Sequence, residues 1–349
     1  MDRFDTSRDE LQVGGLPLSM LAERVGQTPF YAYDRALIAA RIHAVRQVLP
    51  QGVHLHYAIK ANPMPALVGF LCPLVDGMDV ASAGELKLAL DAGADVQSIG
   101  FAGPGKREAE LRQAVASGVL LHVESARELR ALADAAQALG RPARVALRIN
   151  PDFELRGAGM HMGGGPKPFG IDAEQVPDLL RSMAQHGLVF EGFHVYPGSQ
   201  NLRGEVIAES LRRSLDLVLR LAQDAPAPVR LVNLGGGWGI PYFPGERALD
   251  LVEPPSPGQA RRPAAACQAA SHARCHRRAG AARDLLPAGG RLHAGHLVAG
   301  LPLLRSPHGR GTRQLRSLPC DGGKQPEGLL IRSPSGFFPA LSHRLDQCD

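Results

Sequence analysis

His54-Leu55-His56-Tyr57-Ala58-Ile59-Lys60-Ala61-Asn62-Pro63 is a short apolar run that ends in a lysine and is then broken by Asn-Pro. A run of that length bounded by turn residues reads as a buried strand. The cadence repeats outward from it. Residues 77–80, 98–102, 120–123, 145–149, 190–195 and 231–234 are further short apolar runs that end in polar or glycine residues. Helical patterns fill the gaps, over residues 83–92, 106–117, 126–139, 176–186 and 205–222. Upstream, residues 29–33 read as a strand, and Asp34 is placed to cap a helix over 35–49. Strand and helix alternating at this spacing argue for a parallel sheet covered by helices. Seven such units in one run fit an α/β fold of the (β/α)₈ TIM-barrel type better than an open sheet.

In such a barrel the carboxyl ends of the strands form the working face. Lys60 ends the first strand, where its amine can be stripped of water and made nucleophilic. Asp79 and Ser82 end the second strand with Glu85 just beyond, Arg148 and Asn150 end the fifth, and His194 ends the sixth. Gly235-Gly236-Gly237 follows the seventh. Without Cβ atoms its backbone amides can close on a phosphate, and barrels often bind phosphate after strands seven and eight.

Six ordered motifs carry a resemblance: residues 57–62 (YAIKAN), 79–86 (DVASAGEL), 148–151 (RINP), 167–170 (KPFG), His194 with 198–200 (GSQ), and 234–240 (LGGGWGI). Over about residues 28–245 the chain is similar to the fold-type III pyridoxal-phosphate decarboxylases, the ornithine/diaminopimelate decarboxylase family. The resemblance implies an alanine racemase-like barrel that binds pyridoxal 5'-phosphate and decarboxylates an amino acid of the diaminopimelate or ornithine type, or a carrier-linked one. It implies that Lys60 forms the internal aldimine and that His194 lies on the face of the pyridine ring. Ser199, Gly235, Gly236 and Gly237 would hold the phosphate. Asp79, Glu85 and Arg148 would form the polar network around Lys60 and the ring. A homodimer with shared active sites is implied as well. An amino-acid racemase, or a relative that binds the cofactor or a partner without turnover, shares the same barrel and lysine. Two departures mark this chain: Tyr196-Pro197 lengthens the usual His-x-Gly-Ser turn, and a glycine-rich insertion at 157–166 precedes Lys167.

The resemblance implies three parts. Residues 1–33 carry a strand that normally joins a C-terminal β-domain, 34–252 form the barrel, and 253–349 match nothing in the family. The rhythm stops near Val252, and Pro254-Pro255-Ser256-Pro257-Gly258 is a breaker cluster. The following segment is rich in Arg, Ala and Pro and lacks the Glu-Pro-Gly-Arg type motif that ends the family's eighth strand. It reads as a GC-rich gene translated out of frame, and poor order is expected of it. The last strand and the β-domain are therefore expected to be missing or replaced. A seven-stranded barrel would leave its first and seventh strands with unpaired edges.

Charge follows the same division. Residues 253–349 carry 14 basic against 6 acidic side chains, leaving 25 against 28 in front and a net charge of +5. The arginines show neither helical spacing nor aromatic interleaving, so no nucleic-acid partner is expected. Composition is that of a globular protein, 44% hydrophobic and 21% charged. No apolar run approaches the ~20 residues of a membrane span. Residues 1–10 lack a secretory apolar region, so the expectation is a cytoplasmic protein that meets no membrane. The 5 cysteines are too few and irregular for a disulfide framework. Cys267, His272, Cys275 and His276 match no standard zinc spacing, and no metal is expected.

Overall fold

A computed structural model describes residues 10–50, 52–155, 160–161, 163–165, 167–183, 186–249, 291–294 and 329–332. The apolar runs form β1 (Val53–Ala58), β2 (Gly77–Val80), β3 (Ile99–Phe101), β4 (Leu120–Val123), β5 (Arg144–Asn150), β6 (Val189–Val195) and β7 (Leu231–Asn233). Each pairs with the next in parallel register, for example Ala58 with Asp79 and His194 with Asn233. All seven lie within two residues of the runs read from sequence.

An eighth strand, β8 (Arg291–Ala294), closes the ring. Leu292 pairs with Val232 on β7 and with Val53 on β1, both in parallel. The expected gap is therefore filled by a replacement from the atypical segment, and the edges of β1 and β7 are paired. Strand ladders use backbone groups that every non-proline residue has, so Arg-Leu-His-Ala can serve without the family's motif. A parallel pairing needs a dozen or more connecting residues, which the span from Asn233 to Arg291 supplies and residues 249–254, too close to Gly237, do not. The rest of 253–349, apart from Leu329–Arg332, and much of the 157–166 insertion lie outside the described residues.

The connecting helices start and stop where their end residues dictate. Ser125 Oγ accepts the Glu128 N–H at 3.2 Å and so caps the helix Ala126–Leu139, while Glu128 reaches back to accept the Glu124 N–H at 2.9 Å. Gly140 ends that helix at φ +58°. Leu129, Leu132, Ala135 and Ala136 face inward at helical spacing. Each fully buried leucine is worth about 1.5–3 kcal/mol in removed apolar surface.

Within the ring, side chains alternate between the interior and the helices. Leu120, Ala146 and Leu231 make one apolar layer of the interior. The next layer toward the carboxyl ends is polar: His56, Asp79, His122, His194 and Asn233 are all buried. Gly100 on β3 leaves room for it, since a Cβ there would lie 2.7 Å from His122 Nε2 and 3.0 Å from Asp79 Oδ1.

The residues divide into two compact units, Ala44–Ala299 and Met1–His43 with Gly300–Asp349. In the second, Tyr31–Asp34 pairs antiparallel with Leu329–Arg332. Val13, Leu21, Val25, Phe30 and Ala32 form its apolar core. Asp34 caps the helix Arg35–Val48 as expected, accepting the N–H groups of Ala36 and Leu37.

Candidate active site

Lys60 sits in a single 3₁₀ turn, Ile59–Ala61, directly after β1. The residues around it brace that turn. Tyr57 Oη donates to the Asn62 carbonyl at 3.1 Å, and Asn62 Oδ1 accepts the Met64 N–H at 3.1 Å. Lys60 is exposed, yet enough protein stands around its amine to strip part of its hydration. Loss of bulk water pulls its amine below the ordinary lysine range. The Arg148 charge lowers it further, against the opposing pull of Asp79, Glu85 and Glu124.

Asp79 is buried on β2, its Oδ1 3.2 Å from His56 Nδ1. Glu85 has two tasks, because one oxygen accepts the Ala81 N–H at 2.7 Å while its charge acts on Lys60. Ser82 caps the helix Ala83–Asp91 that carries Glu85, accepting the Glu85 N–H at 3.2 Å. Arg148, 8% exposed, reaches Glu124 at 2.8 Å and stacks on the Phe169 ring at 5.0 Å. Asn150 donates to Gly165 O at 2.9 Å and Asp172 Oδ1 at 2.7 Å, so it ties the strand end to the following loop rather than to Lys60.

His194 is 1% exposed beside Arg148 on β5 and Asn233 on β7. Its ring meets His122 edge to face at a centroid distance of 4.7 Å. The added Tyr196 turns inward, where burial raises its phenol and a Ser199 hydrogen bond opposes the rise. Ser199 lies in a two-residue strand, Gly198–Ser199, paired antiparallel with Met160–His161.

The glycine triplet packs on that same turn. A Cβ at Gly237 would stand 2.1 Å from Gly198 O, and one at Gly235 would stand 2.3 Å from the Tyr196 ring. Both glycines have positive φ, +73° and +65°, so glycine is required twice over. Asn233 Oδ1 accepts the Gly235 N–H at 2.9 Å, and Asn201 grips Gly237 O through its backbone and side-chain amides at 2.8 and 3.1 Å. Lys60, Asp79, Glu85, Arg148, His194, Ser199 and the triplet thus all fall at or just inside one end of the barrel.

Three residues here escaped the sequence reading: His56, His122 and Glu124. All are buried, and strict alternation with apolar neighbours was the one available signal. Among the described residues there is no cluster of metal-ligating side chains and no helix long and apolar enough to cross a membrane.

A closed parallel barrel that gathers a lysine of lowered pKa, a buried arginine and a glycine triplet at its carboxyl end is the class of fold seen here. Residues 35–256 match the family described as pyridoxal-dependent decarboxylase, pyridoxal binding domain, and the chain belongs to it. It is 39% identical over 229 residues to the L-glutamyl-[BtrI acyl-carrier protein] decarboxylase of Niallia circulans, covering 64% of this chain and 53% of that one. With the diaminopimelate decarboxylase of Aquifex aeolicus it shares 36% over 241 residues, 68% of this chain and 57% of the relative. The crystal structure of AQ1208 from Aquifex aeolicus superposes with a TM-score of 0.65 at 30% identity, covering 84% of this chain and 63% of that one. A diaminopimelate decarboxylase from M. jannaschii shares the fold, with a TM-score of 0.67 at 24% identity, covering 84% of this chain and 66% of that one. The chain spans a little over half the length of the two curated relatives.

Proposed function

We propose that this chain is the cofactor-holding barrel of a pyridoxal-phosphate amino-acid decarboxylase, with Lys60 as the residue that carries the aldehyde. The observation behind it is the Lys60 amine, lowered by lost hydration and by Arg148, at the same barrel end as the glycine triplet. The residues present suit such a cofactor. An amine held below its ordinary range has more of the neutral form that attacks a carbonyl. The triplet and Ser199 offer small, close-packed backbone for a phosphate. Pyridoxal phosphate, when bound, supplies the sink for the electrons freed as carbon dioxide leaves.

The protein's own part is orientation and charge. His194, packed edge to face against His122, is the imidazole that would lie against the cofactor's ring. Arg148 is the cation whose charge acts on the Lys60 amine and would steer a substrate carboxylate, while Asp79, Glu85 and Glu124 balance it. The glutamate of the family's Glu-Pro-Gly-Arg type motif has no counterpart in β8, whose residues are Arg-Leu-His-Ala. Low turnover is therefore the expectation.

The substrate is an amino acid of the diaminopimelate or ornithine type, or one linked to a carrier protein. The protein would act in the cytoplasm as a homodimer. Borohydride reduction after incubation with pyridoxal phosphate, followed by peptide mapping, tests the central claim. A modified Lys60 and carbon dioxide release from one of these substrates are expected. A folded protein with Lys60 unmodified ends the proposal.

A further inference from the structure

Glu124, the first residue past β4, has a side chain only 1% exposed. It is not among the groups assigned above to hold the cofactor, yet three segments of the barrel mouth converge on its carboxylate. The Gly103 N–H, after β3, donates to Oε1 at 2.5 Å. Arg148 Nη1, on β5, donates to the same oxygen at 2.8 Å. The Gly170 N–H, in the segment that carries Phe169 under the Arg148 guanidinium, donates to Oε2 at 3.1 Å.

The support behind Glu124 is equally fixed. Its own N–H donates to Glu128 Oε2 at 2.9 Å, and Glu128 pairs with Lys106 at 2.5 Å. Lys106, itself 1% exposed, donates to Gly103 O at 2.7 Å and to His122 O at 2.9 Å. The lattice closes on itself: the loop that donates to Glu124 is held by the lysine that neutralises Glu128. A buried carboxylate with three donors and a rigid frame is costly to move.

We propose that Glu124 is a positioning residue for the reactive lysine: it fixes Arg148 and the Phe169–Gly170 segment at the barrel mouth and offsets the Arg148 charge where Lys60 meets it. This rests on the reading of Lys60 given above. The charged groups facing Lys60 are Arg148 from β5, Asp79 from β2, Glu85 from the helix Ala83–Asp91 and Glu124 itself. Of these, Glu124 hydrogen-bonds the cation that opposes protonation. Neutralising it removes one favourable charge from the lysine and leaves the guanidinium uncompensated, so both effects favour the neutral amine.

The test reads the chemistry of Lys60 without turnover. The initial rate of pyridoxal-phosphate attachment to Lys60, trapped by reduction and quantified by peptide mapping, is followed against pH for the full chain, Glu124→Gln, Arg148→Gln and the double variant. In Glu124→Gln the midpoint should fall by about half a pH unit or more. In Arg148→Gln it should rise, and adding Glu124→Gln there should produce less than half of the single-variant shift. If Glu124→Gln does not fold, Glu124→Asp keeps the charge but shortens the reach, and its midpoint should still fall. An unmoved midpoint, or equal shifts with and without Arg148, overturns the proposal. Absence of labelling in the unaltered chain would instead overturn the assignment of Lys60.

Discussion

His122 gives the barrel an acid weakness whose size can be worked out. The imidazole is 2% exposed, and burial lowers its pKa from the ordinary 6.5 to about 3. Asp79 opposes the shift, while Lys106, Arg148 and His56 add to it. Among the described residues its Nδ1 has no hydrogen-bond partner to reward a proton. The unfolded chain takes up a proton near pH 6.5, whereas the folded chain resists down to about 3. Above pH 6.5 the residue leaves stability unchanged, and across the window between the two values it subtracts more with each step down. At pH 5 the gap is about 1.5 units, or about 2 kcal/mol at 1.36 kcal/mol per unit.

His122→Asn removes the titration and keeps a small polar group in the layer. Its absolute stability can change with packing, so the decisive quantity is the difference between pH 7.5 and pH 5 within each protein. Urea unfolding, followed through the single tryptophan Trp238, supplies both free energies. The unaltered chain should lose about 2 kcal/mol more than the variant over that interval. Equal losses would refute the claim that a neutral imidazole is locked in the barrel interior.

Three further outcomes follow from specific contacts. A Cβ at Gly192 would stand 1.8 Å from Leu231 O, at a φ of +154°, so Gly192→Ala should cost about 3 kcal/mol or more by spreading β6 from β7, and urea unfolding would show it. Gly237→Ala would strike Gly198 O, and it should weaken pyridoxal-phosphate retention on dialysis far more than it lowers the thermal midpoint. Ser125→Ala removes a helix cap and should cost about 1 kcal/mol, with Lys60 labelling unchanged at saturating cofactor.

Much of the barrel was legible because its signals are local. Short apolar runs, Ser125 and Gly140 at a helix's two ends, and Asp34 at the start of another act within a few residues, and the structure places them where their chemistry suggests. The mouth was legible for a related reason: a lysine, an arginine, a histidine and three glycines at strand ends are each out of place in a buried strand unless they face a common opening. What stayed hidden depends on pairing across distance. Arg-Leu-His-Ala carries no pattern long enough to stand out, and only the facing edges of β1 and β7 make it a strand. Glu124 reads as the polar end of one more apolar run, and its importance comes from Gly103, Arg148 and Gly170, which approach it from elsewhere in the chain. His122 sits in a run that looks like any half-apolar strand, and its significance lies in the rings opposite.

The late position of β8 has a kinetic consequence. On the ribosome, β1 through β7 can assemble as soon as Asn233 is free, but the staple that joins the two open margins is made only after residues 234–290 have also been synthesised. At about 5–20 residues per second that interval lasts roughly 3–11 s. During it, an incomplete cylinder presents two raw sheet margins to its surroundings. A nascent chain of this design has reason to recruit a chaperone at that length, and a chain stalled before Arg291 would be the species most prone to aggregate.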